Sequence, residues 1–327
     1  MTYASRGARY AIVLLIILSV QFVLFRAMPG DPLIHVLGEE GYQLAAMNPD
    51  EMARLRTEYG LDKPMAVQYG AFLWRMVHCE LGWSTTWNMP VFSIIMQRLP
   101  WTLVLMVPSI MLSVFFSALL GTWAGWKNNS LAQKAVSGFF VLLYSIPGYC
   151  LALLLVTVLG FWSGIFPTGG MAPAGIQGKG FPFLGVARHM ALPVIALALS
   201  GTAYKFLVMK NTVMGIVEQD FVLTAVSKGL SPFRVVAFHI FPNALPQLIN
   251  LAAMSLGHMV SGALLVEVVF SWNGMGVLMH EAVLTRDYPL LMGSFLVLTT
   301  CVILANAMAD ILHMALDPRV RDGANGN

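Results

Sequence analysis

Six long apolar stretches punctuate the chain, with polar segments between them. They cover about 8–27, 101–126, 134–162, 188–210, 244–270 and 290–316. A hydrocarbon layer about 30 Å thick needs roughly 20 apolar residues in a helix to cross it. A spanning backbone must satisfy its own hydrogen bonds, which a helix does within one segment. A β-barrel would show short segments of alternating polarity instead. The pattern predicts an all-α polytopic membrane protein with about six transmembrane helices. Pro108, Pro147 and Pro193 fall inside spans, where each removes a backbone donor and can kink its helix. Arg6 and Arg9 before the first span resemble the head of a secretory signal. The apolar run is too long for one, and Arg26-Ala27-Met28-Pro29 is a poor cleavage site, so an uncleaved anchor is expected.

Composition agrees with this class. The 327 residues are 57% hydrophobic and only 11% charged, against about 25% charged in soluble domains. This excludes a disordered chain and argues against a soluble enzyme. A net charge of +3 is too small for the clustered basic footprint of a nucleic-acid binder, so no nucleic-acid partner is expected. Cys79, Cys150 and Cys301 are widely spaced and form no disulfide framework or zinc motif.

Cations set the expected orientation. Arg6 and Arg9, Lys127 and Lys134, then Lys210, Lys228 and Arg234, and finally Arg319 and Arg321 fall on one side of a six-span arrangement. The opposite short loops hold only Lys179, Arg188 and Arg286. Both termini are therefore expected in the cytoplasm. Four regions follow. Residues 1–27 are a tail and first helix, and 28–100 an extracytoplasmic loop region. Residues 101–316 form the transmembrane core, and 317–327 a cytoplasmic tail. Region 28–100 carries eight of the 16 acids. In it Asn48 and Pro49 should start a helix and Gly60 should end it. It reads either as a solvated cap or as a docking surface for an external partner.

The cytoplasmic stretch 211–243 is too polar to span and too long for a simple turn. It predicts two short helices. Asp220 is expected to cap the first, and Gly229 suits a left-handed stop after it. Ser231 and Pro232 should open the second, and Pro242 and Pro246 mark the start of span five. Such a segment is either a rigid knob that receives force from a soluble motor or an amphipathic connector lying on the bilayer.

Other chemistry is thin. Residues 175–180 superficially suggest a phosphate-binding loop, but the glycine spacing is wrong and no Ser or Thr follows the lysine. His78-Cys79-Glu80 has metal-binding donor types, yet adjacent residues rarely face one ion. The 21 methionines also serve as adaptable apolar filler. No metal site is expected. Lys205, Glu267 and Asp310 are charges within spans and so candidates for function. Lys205 is expected to snorkel to the interface, and Asp310 to make an interhelical hydrogen bond.

One resemblance is specific. Leu223-Thr224-Ala225-Val226-Ser227-Lys228-Gly229, followed by His239-Ile240-Phe241-Pro242, resembles the EAA loop of ABC importer permeases. Ala225, Gly229 and Pro242 match its signature, with Leu223 in place of the glutamate. Arg26-Ala27-Met28-Pro29-Gly30-Asp31-Pro32, Tyr59-Gly60-Leu61-Asp62-Lys63-Pro64, Arg98-Leu99-Pro100-Trp101-Thr102-Leu103 and Ser145-Ile146-Pro147-Gly148 point to one branch. So do Phe270-Ser271-Trp272-Asn273-Gly274-Met275-Gly276, Arg286-Asp287-Tyr288-Pro289 and Leu316-Asp317-Pro318-Arg319. From about residue 8 to 321 the chain is similar to the B-type permease of dipeptide, oligopeptide and nickel importers. Asn273 departs from the proline usual there.

The resemblance implies type I importer architecture in a bacterial or archaeal cytoplasmic membrane, multi-pass and surrounded by lipid. It implies a second homologous permease subunit, two cytoplasmic ABC ATPases and an extracytoplasmic substrate-binding protein. This chain would be non-catalytic and bind no cofactor, with ATP and Mg on the ATPases. Asp220, Thr224, Ala225, Lys228, Gly229 and Pro242 would form the ATPase-coupling element. Glu267, His258 and Trp272 would lie near the translocation path. Glu267 would meet a solute's amino group or cation, or make a structural hydrogen bond. His258 would face the path or pack as a neutral ring. The solute would be a peptide or similar small polar molecule, or else nickel or a metal chelate. A secondary transporter working without ATP is the competing class. It should show paired broken helices and intramembrane acids, and neither pattern is clear.

Overall fold

A computed structural model describes residues 3–27, 31–127, 129–171 and 183–316. The loop at 175–180 and the tail 317–327 lie outside the described residues. Among the described residues every regular element is helical. The helices are α1 (Tyr3–Ala27), α2 (Pro32–Ala46), α3 (Pro49–Glu58), α4 (Met65–Val77), α5 (Val91–Trp126), α6 (Leu131–Ser145) and α7 (Gly148–Leu155). They continue as α8 (Phe183–Val217), α9 (Asp220–Ser227), α10 (Pro232–Val235), α11 (Phe241–Val269), α12 (Met275–Leu284) and α13 (Tyr288–Leu316). Wider π-helical turns extend α7 over Val156–Trp162 and join α10 to α11 over Val236–Ile240. Two compact units result, one from Met1–Pro100 with Val277–Ile303 and one from Trp101–Gly276 with Leu304–Asn327.

Among the described residues, five stretches are long and apolar enough to cross a membrane: Gly7–Leu24, Val91–Trp126, Leu184–Val217, Pro232–Ser255 and Tyr288–Met308. The third expected span is different. It breaks into α6 and α7, which meet at 105°. Pro147 is the cause: it has no N–H for the helix ladder and forces Ile146 out of the helical region, to φ −95° and ψ 123°. The fifth span also departs from expectation. It starts at Pro232 rather than near 244, so the second short helix is its first turn. Helix α12 was not predicted, because ten residues are too few to register as a span.

In the first unit, local chemistry matches the residues. Asn48 caps α3 by accepting the Asp50 amide at 3.1 Å, with Pro49 at the first position. Gly60 takes φ +64° just past the end of α3. Asp31 caps α2 through the Leu33 amide and pairs with Arg56. Asp287 caps α13 by accepting the Leu290 amide at 3.1 Å.

In the second unit α8 is the buried centre, packed against α6, α7 and α11. Helix α5 presents Ser109, Ser113, Ser117, Gly121 and Gly125, all buried. Four-residue spacing puts them on one face. Small residues let helix backbones approach closely in a bilayer, where hydrophobic driving force is lacking. A methyl group on Gly121 would sit 2.8 Å from Met209 Cβ, and one on Gly125 2.6 Å from Val213 Cβ. Gly121→Ala is therefore expected to push α5 off α8 at a cost of about 1–3 kcal/mol. An unchanged detergent melting temperature would contradict this packing.

Lys205 does not snorkel. It is only 4% exposed, and its ammonium donates to Ser113 Oγ at 2.9 Å and to the Gly201 carbonyl at 3.0 Å. The α5 stripe lies within its reach, so the side chain bonds across to α5 instead of running to the interface.

Candidate functional site

Helix α9 is anchored along one narrow line. Val222 and Ala225 are buried, and they join Met209, Val213, Ile216, Val235, Ile240, Ala244 and Leu248 in one apolar cluster. The rest of the helix is open. Leu223 is 57% and Val226 50% exposed, with Thr224 and Lys228 exposed beside them. An exposed apolar strip on a short, well-anchored helix is a surface suited to a partner.

Its ends are tightly defined. The expected cap is corrected: Gln219 is the N-cap, and Asp220 is the first helical residue, with no capping hydrogen bond from a side chain. Its carboxylate still lies in the first turn, where negative charge is favoured by the helix dipole. The Thr224 hydroxyl donates to the Asp220 carbonyl at 2.8 Å. The Lys228 and Gly229 amides close the helix on Thr224 and Val226. Gly229 then takes φ +77°, with nothing within 4 Å of where a Cβ would stand. Only backbone conformation requires glycine here.

Ser231 and Pro232 open α10 as the residues suggest, although the Ser231 hydroxyl makes no capping bond. Pro242, exposed in the first turn of α11, has no N–H for the Phe238 carbonyl. The π turn over Val236–Ile240 falls at this point, and the Asn243 side-chain Nδ2 donates to the His239 carbonyl at 2.7 Å. The coupling candidates Asp220, Thr224, Ala225, Lys228, Gly229 and Pro242 thus occupy α9, its stop and the following helix start.

The path candidates sit elsewhere. Glu267 is completely buried near the end of α11, and its Oε2 accepts the Gly276 amide at 2.6 Å. Thr102 Oγ1 accepts the neighbouring Met275 amide at 2.8 Å. Two orphan amides at the start of α12 are thereby satisfied by side chains from α11 and α5. Trp272 is also fully buried, and its indole donates to the Trp101 carbonyl at 3.0 Å. In this arrangement Glu267 and Trp272 brace the loop 270–276, and contact with a solute would require that loop to open. The side chain of His258 lies outside the described residues. Sequence reasoning placed Thr102 within the Arg98-Leu99-Pro100-Trp101-Thr102-Leu103 motif but gave its hydroxyl no role.

Glu267→Gln keeps an oxygen to accept the Gly276 amide but loses the charge. It is expected to lower stability by about 1 kcal/mol and to leave the apparent KM for uptake unchanged. A raised KM at unchanged stability would place the carboxylate on the path instead.

Residues 117–322 match the family described as binding-protein-dependent transport system inner membrane component, and residues 3–106 its N-terminal membrane component. A protein named as a peptide transport system permease of Brucella abortus (strain 2308) is 32% identical over 317 residues, covering 97% of this chain and 98% of its own length. The dipeptide transport system permease protein DppB of Escherichia coli (strain K12) is 28% identical, covering 92% of each. A chain from an inward-facing MetNI methionine ABC transporter shares the fold with a TM-score of 0.58 at 15% identity, covering 70% of this chain and 98% of that one. This chain belongs to the binding-protein-dependent transport inner membrane component family, the non-catalytic, multi-pass permease subunits of ABC importers in the bacterial inner membrane.

Proposed function

We propose that this chain forms half of the translocation path for peptides or similar small polar solutes. A second homologous permease forms the other half, two cytoplasmic ATPases drive the cycle, and an extracytoplasmic binding protein delivers the solute. Both termini and α9 face the cytoplasm in this reading. The observation that carries it is α9 itself. Val222 and Ala225 fix the helix to the transmembrane bundle while Leu223 and Val226 stay exposed. A flexible loop would absorb a push from an ATPase, whereas an anchored helix passes it to α8 and α11. The names of the relatives favour peptides as the solute class. ATP and the loaded binding protein must each favour a different orientation of the path, because a ligand shifts an equilibrium only by its differential affinity.

The test is a mild-detergent pull-down of the tagged chain from its native locus, with mass spectrometry of its partners. A second permease and one or two ATPases are the expected recovery. Their absence, with the chain intact and folded, would overturn the proposal in favour of an ATP-independent transporter.

A further inference from the structure

The first unit contains a cavity of about 440 Å³, apart from both α9 and the loop 270–276. It begins at Phe22, within the apolar stretch Gly7–Leu24 of α1, and reaches Arg26 just beyond that stretch. The cavity therefore straddles the apolar-to-polar boundary at one end of a membrane span. One wall is aromatic: Phe22 and Phe72 line it with ring centroids 5.5 Å apart, and Tyr69 supports Phe22 from behind at 5.3 Å.

The polar end carries Arg26, Lys63 and Arg75 against Glu58 and Glu80, an excess of one positive charge. None of the three cations makes an ion pair among the described residues. Gln68 also lines the cavity. Its amide nitrogen donates to the Leu61 carbonyl at 3.2 Å and the Lys63 carbonyl at 2.7 Å, which fixes its orientation. Its Oε1 is then buried without a hydrogen-bond partner among the described residues. A buried acceptor of this kind calls for a donor.

From this we infer that the cavity binds one phospholipid. The phosphodiester lies against Arg26 and Arg75, a headgroup ammonium or hydroxyl donates toward Gln68, and an acyl chain runs along Phe22 and Phe72. The negative phosphodiester answers the excess cation, leaving a neutral site with phosphatidylglycerol and one positive charge with zwitterionic phosphatidylethanolamine, and guanidinium groups suit phosphate geometry. A bilayer supplies such an amphiphile at this depth. The inference does not depend on which solute is transported.

The test is native mass spectrometry of the full-length chain released from detergent. Phosphatidylglycerol, phosphatidylethanolamine, phosphatidylcholine or inorganic phosphate is added in turn. One tightly retained phosphatidylglycerol or phosphatidylethanolamine is expected, with phosphatidylcholine held at least tenfold more weakly because its headgroup has no donor. Arg26→Ala with Arg75→Ala should lose that lipid. If this double variant is poorly folded, Phe72→Trp, which narrows the acyl-chain end of the cavity and leaves the charges in place, should hold the lipid more weakly. Equal lipid retention by wild type and a folded variant would overturn the site. Displacement of the lipid by inorganic phosphate would make it a simple anion site and overturn the lipid assignment.

Discussion

Replacing Asp287 with alanine is expected to destabilise the protein by about 3–5 kcal/mol, more than Gly121→Ala or Glu267→Gln. Its carboxylate is fully buried. Oδ2 accepts the Ser84 hydroxyl and, at 3.0 Å, the Thr86 amide, while Oδ1 accepts the Leu290 amide. Ser84 Oγ in turn accepts the Trp87 amide at 3.0 Å. Three donors lose their acceptor together in the alanine variant, and the serine hydroxyl can no longer orient the Trp87 amide. Such networks fail as units. The asparagine variant keeps one acceptor oxygen and should fall between wild type and alanine. Thermal unfolding in detergent checks this. An alanine variant that melts with the wild type would show that the network contributes little.

Gly229→Val should abolish coupling. Uptake is expected to fall at least tenfold, while ATP hydrolysis by the assembled importer persists without stimulation by loaded binding protein. The left-handed region costs an ordinary residue about 1–2 kcal/mol, and a β-branched side chain fits it worst. The open space around the position means that no steric clash adds to this. The strain is relieved by moving the end of α9, which is the surface we propose for the ATPase contact. Gly229→Asn, which tolerates φ near +60°, should retain most transport. Parallel uptake and ATPase assays decide the matter. Normal stimulated transport in the valine variant would remove the reason for glycine there.

Gly229 and Asp287 differ in how visible their roles were along the chain. Gly229, like Asn48, Pro49 and Gly60, acts within a few residues of its own position. Such turn and cap chemistry is local, so it was legible before any fold was known. The family motifs were equally legible, because they are contiguous. Asp287 was visible only as part of such a motif, with no hint that it bridges to Ser84 at a separation of 203 residues. The Gly121 and Gly125 pair went unread, although two glycines four apart in an apolar helix mark a packing face. Even read, that pattern would not have named the partner helix.

The amino-acid sequence by itself determined that the chain crosses a membrane several times, roughly where the first, fourth and sixth spans fall, and where α3 and α9 stop. Hydrophobic length and turn chemistry are one-dimensional properties, and they survive without tertiary knowledge. Tertiary structure alone decided the rest. It set the angle of 105° at the break that Pro147 makes, and it extended the fifth span back to Pro232. It buried Glu267 and Trp272 beneath the loop 270–276, and it tied Lys205 to Ser113. A charged residue in a span has the same sequence signature whether it faces a path, a neighbour or an interface. Which of these it meets depends on the elements packed around it, and those come from distant parts of the chain.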